Sequence, residues 1–196
     1  FIVDTCMEVV EKYDVDAIHF DDYFYISGVD DSATRAKYNT SNLSTDNFRR
    51  LQVDLFMEQL HDEITKYNEE NNAFVQLGIS PSGIYRNGSY GSGTTPEYDA
   101  NGTLIYPVYS NTSGFAHYGN YLYSDTKKWI DEGWIDYILP QTYWAINHTS
   151  ASVSTLSEWW SWCVRNKDCN LYLGQGIYMA IEYTPTATGS YKYWGD

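Results

Sequence analysis

The chain is short of several things at once, and each shortage removes a class of function. Lysine and arginine number 12 against 26 aspartates and glutamates, a net charge of −14 over 196 residues. Such a surface repels nucleic acid and anionic membranes, so neither is expected as a partner. Cysteine is scarce, with only Cys6, Cys163 and Cys169. Three is an odd count, and Cys163 and Cys169 lie near enough in sequence for a local disulfide in an oxidising compartment. There is no Cys-x-x-Cys pair and no histidine-rich tract, and His61, His117 and His148 stand at no recognisable ligand spacing. That pattern calls for no metal and no cofactor, and it weakens a metal-dependent deacetylase, which His19 near Asp21 would otherwise suggest. No apolar run is long enough to span a bilayer. No signal peptide is visible either, and residues 1–4 run straight into helix-like sequence, as if the chain began inside a domain.

What is abundant is aromatic. Twenty tyrosines and seven tryptophans exceed what a core needs. Tyr and Trp suit surfaces that are half apolar and half wet. Sugar rings present such a surface, with C–H faces for stacking and hydroxyl edges for hydrogen bonds; core and interface packing is the ordinary alternative for any single ring. The 43% hydrophobic content is enough for the core of one domain, or of part of one. Asn87-Gly88-Ser89 and Asn101-Gly102-Thr103 are glycosylation triplets that matter only if the source modifies them.

Periodicity orders the elements. Cys6, Val9 and Val10 predict a helix over residues 2–12, and residues 15–20 read as a buried strand. Ser44 or Thr45 caps a helix that carries Phe48, Leu51, Leu55, Phe56, Leu60 and Ile64 on one face. Residues 73–79 read as a second strand. A Gly-, Ser-, Asn- and Tyr-rich stretch over 82–120 reads as a long functional loop, expected to cover the site and to be mobile. A helix over 121–132 stopped by Gly133, a strand over 135–142, a helix over 154–165 and a strand over 170–179 complete the chain. Strict alternation implies parallel strands with crossover helices, which a doubly wound sheet and a (β/α)8 barrel both satisfy.

Polar residues arbitrate. Asp21 and Asp22, then Ser80, then Gln141, Thr142, Tyr143 and Trp144, then Gln175 and Tyr178, all fall at the C-terminal ends of the strands, where barrels keep their sites. No Gly-rich phosphate loop follows any strand, which disfavours a nucleotide-binding doubly wound sheet. The expected fold is therefore α/β, a partial (β/α)8 TIM-type barrel of about four parallel strands forming one domain over 1–196, with strands near 15–22, 73–80, 135–143 and 170–179. Strand alternation puts His19, Asp21 and Tyr23 on one face; polar His19 beside a helix layer is costly, so His19 and Asp21 are expected to point into the barrel, with Asp22 able to turn toward the same mouth past the strand end. Close carboxylates repel, so one of the pair should hold its proton more tightly, as a general acid must. Capping of the following loop, or pairing with Arg35 or Lys37, is the competing role for these acids.

Here the residues carry a resemblance. DAIHFDDYFY, LGISPSGIYRN, WIDEGWIDYILPQTYW and LYLGQGIY, in that order, resemble successive motifs of glycoside hydrolase-like family ten, bacterial proteins of the cell envelope or exterior with a TIM-type catalytic domain. The resemblance runs from Val15 to Tyr178 and implies the fourth to seventh strands of that barrel. It implies hydrolysis of glycosidic bonds in a bacterial cell-wall or related polysaccharide. Asp21 and Asp22 match the acid pair, as general acid and helper. Tyr23 and Tyr25 match the aromatic run, Arg86 and Asn87 the Arg-Asn of the fifth-strand motif, and Gln141, Tyr143 and Trp144 the sixth-strand motif. With His19, Ser80 and Gln175 they form the expected substrate-binding set. Ile26 stands where the family usually has Pro, and Ser82 where an aromatic is common.

The second catalytic group then lies on another strand, or is the substrate's own N-acetyl group held by Tyr143. A non-catalytic carbohydrate-binding barrel is the alternative function. Four strands cannot close a barrel and leave two open edges, with Ile18, Leu77 and Leu139 expected on the inner face. The chain is therefore expected to be a piece of a longer protein, or a homodimer if it folds alone.

Overall fold

The computed structural model describes residues 1–26, 28–119, 122–184, 186 and 188. Helix α1 (Ile2–Lys12) leads into strand β1 (Ala17–Phe20), followed by α2 (Ser32–Tyr38) and the long α3 (Thr45–Asn71). Strand β2 (Gln76–Ile79), a small hairpin of β3 (Glu97–Tyr98) and β4 (Leu104–Tyr106), and α4 (Thr126–Asp131) come next. Strand β5 (Tyr137–Ile138), α5 (Val153–Cys163), β6 (Asn170–Leu171) and α6 (Tyr178–Ile181) follow. The strands β1, β2, β5 and β6 form one parallel sheet in that order, with helices in the connections. The α/β class and the parallel order are as the alternation implied.

Alternation along the strands divides the sheet into two unlike faces. Leu77, Ile79 and Ile138 are buried against Met57, Leu60 and Ile64 of α3, Trp129 and Ile130 of α4, and Leu156, Trp159 and Trp160 of α5, with Ile18 packed against the same cluster. Ile18 and Leu77 thus face the helices, not the interior of a barrel. Sharing a strand with His19 and Gly78 obliges them to point the opposite way. On the other face the Tyr137 ring lies flat over β2. A Cβ at Gly78 would stand 1.9 Å from its Cζ, so only glycine admits this approach.

Local signals fixed several boundaries. The Ser44 side chain accepts from Asn47 N at 3.3 Å and caps α3. Gly133, at φ +73°, follows the end of α4 and donates its N–H to Ile130 O. Elsewhere the pattern misled. On α1 the buried face is Val3, Met7 and Val10, while Val9 is exposed. On α3 Leu55 is exposed, and Val53, Asp54 and Met57 are buried in its place. Asp54 is admitted because Trp129 Nε1 (2.7 Å) and Lys128 Nζ (2.9 Å) donate to it. The helix expected over 121–132 begins only at Thr126, capped by Asp125; residue 121 lies outside the described residues. The last strand ends at Leu171, apart from a bridge at Gly174, and Tyr178 belongs to α6. Helix α2 carries no buried residue, and so left no apolar period to read.

The 82–119 part of the 82–120 stretch is built, not structureless. Ile84, Tyr85, Leu104 and His117 are buried within it. Trp160 Nε1 donates to Gly83 O at 2.9 Å and Trp159 Nε1 to Pro107 O at 3.2 Å, so α5 fastens it from behind. Cys163 and Cys169 are both buried and unbridged.

Candidate active site at the strand ends

Above β1 the chain leaves the sheet at Asp21. Its Oδ1 accepts from the backbone N–H of Asp22 at 2.9 Å and from Gln141 Nε2 at 2.6 Å. Gln141 is held in place to do this: its Nε2 also donates to Ser80 O at 2.9 Å, and its backbone forms parallel bridges with Ser82 and Gly174. The ends of β1, β2, β5 and β6 therefore converge on one carboxylate. Ser80 donates its own hydroxyl to Leu139 O at 3.0 Å, which fastens the same layer.

Asp22 is the less exposed acid. Burial raises its pKa, Asp21 beside it raises it further, and only its backbone hydrogen bond opposes them. Tyr143 stands close enough to feel both acids: burial and the charge of Asp21 lift its phenol, with smaller contributions from Tyr178 and Asp22. Its ring meets Tyr178 edge-on at 6.3 Å. Gln175 Nε2 donates to Thr142 Oγ1 at 2.7 Å, and Thr142 in turn donates to Gly174 O. One layer lower, His19 Nδ1 meets the Tyr137 hydroxyl at 3.0 Å, with the two rings stacked at 5.6 Å. Tyr137 escaped the sequence reading, although alternation back from Gln141 through Leu139 places it on this face.

Among the described residues, the other expected side chains make their contacts with groups other than the two acids. Tyr23 is 86% exposed and lines an apolar groove with Phe20, Phe24 and Phe56 on the helix side. Tyr25 turns away to donate to Asp31 Oδ2 at 2.8 Å and packs against Tyr123. Arg35 and Arg49 both donate to Asp31, not to Asp21 or Asp22. The Arg86 guanidinium lies over the Tyr118 ring at 5.0 Å, and Asn87 Nδ2 donates to Gly114 O at 2.8 Å. Trp144 packs partly into the core, its ring so near Gly83 that a Cβ there would meet Cζ3 at 2.8 Å. Among the described residues no ion pair involves Asp21 or Asp22, and no group of His, Cys, Asp or Glu converges in a way that would hold a metal.

His117, buried completely, is the one histidine the fold encloses. Ser82 O lies 2.8 Å from its Nδ1 and Thr126 Oγ1 2.8 Å from its Nε2, and burial lowers its pKa to about 3. It is neutral at any ordinary pH and joins the loop to α4.

Comparison with known proteins agrees with the strand-end motifs. The model of the family Glycosyl hydrolase-like 10 matches residues 1–188. Over 185 residues, 91% of the chain, the sequence is 38% identical to the glycosyl hydrolase YngK of Bacillus subtilis (strain 168). Over 186 residues, 93% of the chain, it is 32% identical to the glycosyl hydrolase DigH of Escherichia coli (strain K12). The match covers 32% of the first relative and 38% of the second, so the chain spans about a third of the length of these curated relatives. With this match over residues 1–188, the chain belongs to the Glycosyl hydrolase-like 10 family.

Proposed function

We propose that this chain carries the catalytic acids of a glycoside hydrolase acting on a bacterial cell-wall or related polysaccharide, at the cell envelope or outside the cell. In this reading the sheet is one sector of a (β/α)8 barrel, and the convergence of strand ends on Asp21 is the barrel mouth. The observation that carries the proposal is Asp22: partly buried, beside a second carboxylate and without an ion-pair partner among the described residues, it is held toward its protonated form. A carboxylic acid in that state protonates the glycosidic oxygen as the bond from the anomeric carbon breaks.

Asp21, fixed by Gln141, is the helper. Carboxylates that act alone as acid and nucleophile or base stand roughly 5–9.5 Å apart across the bond. Neighbours on one strand end suit a different division, with Asp21 orienting the group that attacks. That group is the substrate's own acetamido oxygen, to which Tyr143 would donate, or a carboxylate from elsewhere in a longer protein. Gln175 and His19 read hydroxyls along the mouth, and Trp144 floors it.

The test is to incubate full-length protein with cell-wall glycans and measure new reducing ends. Asp22→Asn should lower turnover at least ~100-fold, as loss of a general acid does. Near-normal turnover in the single Asn variants of both Asp21 and Asp22 would exclude the pair. Glycan binding without new reducing ends in the unmodified protein would make this a non-catalytic carbohydrate-binding barrel.

A further inference from the structure

Beyond Trp144 the chain builds a second concavity. The loop from β5 to α5 is tied to the returning arm of the 82–119 segment by Ser113 N donating to Ser150 O at 2.9 Å. In the seam between them lies a cavity of about 340 Å³, its walls drawn from Ser89, Asn111, Ser113, His148, Thr149 and Thr155 and their neighbours. That volume lies within the range of small-ligand sites, roughly 300–1,000 Å³. Among the described residues the lining holds hydroxyls, amides and one imidazole, and no Asp, Glu, Lys or Arg. In a chain of net charge −14 that neutrality is selective. It gives an anion no cation to pair with and a metal no carboxylate. It fits a ligand that is polar on all its edges and uncharged.

The cavity adjoins Trp144 through His148 on its wall. The Trp144 ring lies against Gly83 on one side, and it stands 6.4 Å from the ring of His148 on the cavity wall. His148 is fixed there, because its Nδ1 accepts from Ser150 N at 3.4 Å and Ala151 N at 3.2 Å. A partly exposed tryptophan beside a hydroxyl-lined hollow offers a stacking face to a sugar ring.

We infer that the seam cavity is an additional subsite, which binds an uncharged sugar unit of the same glycan chain after it has crossed Trp144. The inference rests on the glycan reading of the mouth and adds to it that the enzyme grips its substrate away from the scissile bond. Binding energy placed there improves positioning at Asp22.

Short and long β-1,4-linked N-acetylglucosamine oligomers provide the test, measured by calorimetry on full-length protein carrying Asp22→Asn so that they stay intact. Ser89→Trp and Ser113→Trp, both at exposed positions on the wall, fill the cavity from outside the core. The long oligomer should bind about tenfold more tightly than the short one, the equivalent of one or two net hydrogen bonds. Both tryptophan variants should abolish that gain while leaving the short oligomer's affinity unchanged. A gain that persists in both variants overturns the subsite alone. Failure of both lengths to bind overturns the glycan reading as well. Tighter binding of a long oligogalacturonate than of the neutral oligomer overturns the uncharged class.

Discussion

Two acidic places lie ten residues apart on the same segment after β1, and the fold treats them in opposite ways. Asp31 is buried and fully partnered: Arg49 grips both its oxygens through Nε (2.8 Å) and Nη2 (2.9 Å), Arg35 adds a bond at 2.9 Å, and Tyr25 adds another. These donors hold its carboxyl well below the usual carboxylate range. Asp21 and Asp22 receive an amide from Gln141 and each other's company, and Asp22 moves the other way. An acid that fixes a loop is given cations. Asp22, the proposed general acid, is given partial burial and a like charge. The latch at Asp31 therefore holds the segment whose first two residues are the proposed catalytic acids, and Arg49 extends it to Tyr123 at 2.9 Å on the far loop.

Variants should separate the two places cleanly. Arg49→Met leaves Asp31 buried with half its partners and should cost roughly 3 kcal/mol of stability, the low end for a broken buried ion pair; denaturant unfolding reads this directly. If instead it left stability unchanged, the latch would be decorative. Asp22→Asn should do the reverse, losing ~100-fold in turnover (about 2.7 kcal/mol of barrier) with little change in the unfolding midpoint.

Acid should attack a third place. His117 titrates near 3 in the folded protein, below its ordinary value of about 6.5, so the unfolded chain binds the extra proton between those limits. Its contribution is intact above about pH 6.5 and is lost as pH falls toward 3, by up to about 1.4 kcal/mol per pH unit. His117→Gln should flatten that part of the stability profile, whereas Asp22→Asn should not. Gln141→Ala is the mildest change: it frees Asp21 and should cost roughly 1 kcal/mol of barrier, a few-fold in rate.

The same contrast explains what was legible in the sequence. Strand ends carrying Asp21, Ser80 and Gln141 could be read because alternation and turn chemistry are local, and the motif order gave the family. Partnerships across the chain could not. Nothing near Asp31 announces that Arg49, 18 residues on, will claim it. Tyr25 looked like a companion of the acids because it follows them, yet its hydroxyl answers to Asp31. The 82–120 stretch looked loose because Gly, Ser and Asn dominate it. Its order comes from Trp159 and Trp160, whose indoles reach it from α5. Leu55 is apolar and exposed while Asp54 is polar and buried, because Trp129 supplies a donor that no periodicity reveals.

Partial burial and the neighbouring Asp21 carboxylate both raise the Asp22 pKa, and carbon-detected NMR titration of the side-chain carboxyls tests this most directly. Asp22 should titrate above the ordinary aspartate value of about 3.9, and Asp21→Asn should bring it down while the Asp31 carboxyl keeps its low value. An Asp22 that titrates at or below the ordinary value, or one indifferent to Asp21→Asn, would contradict the account.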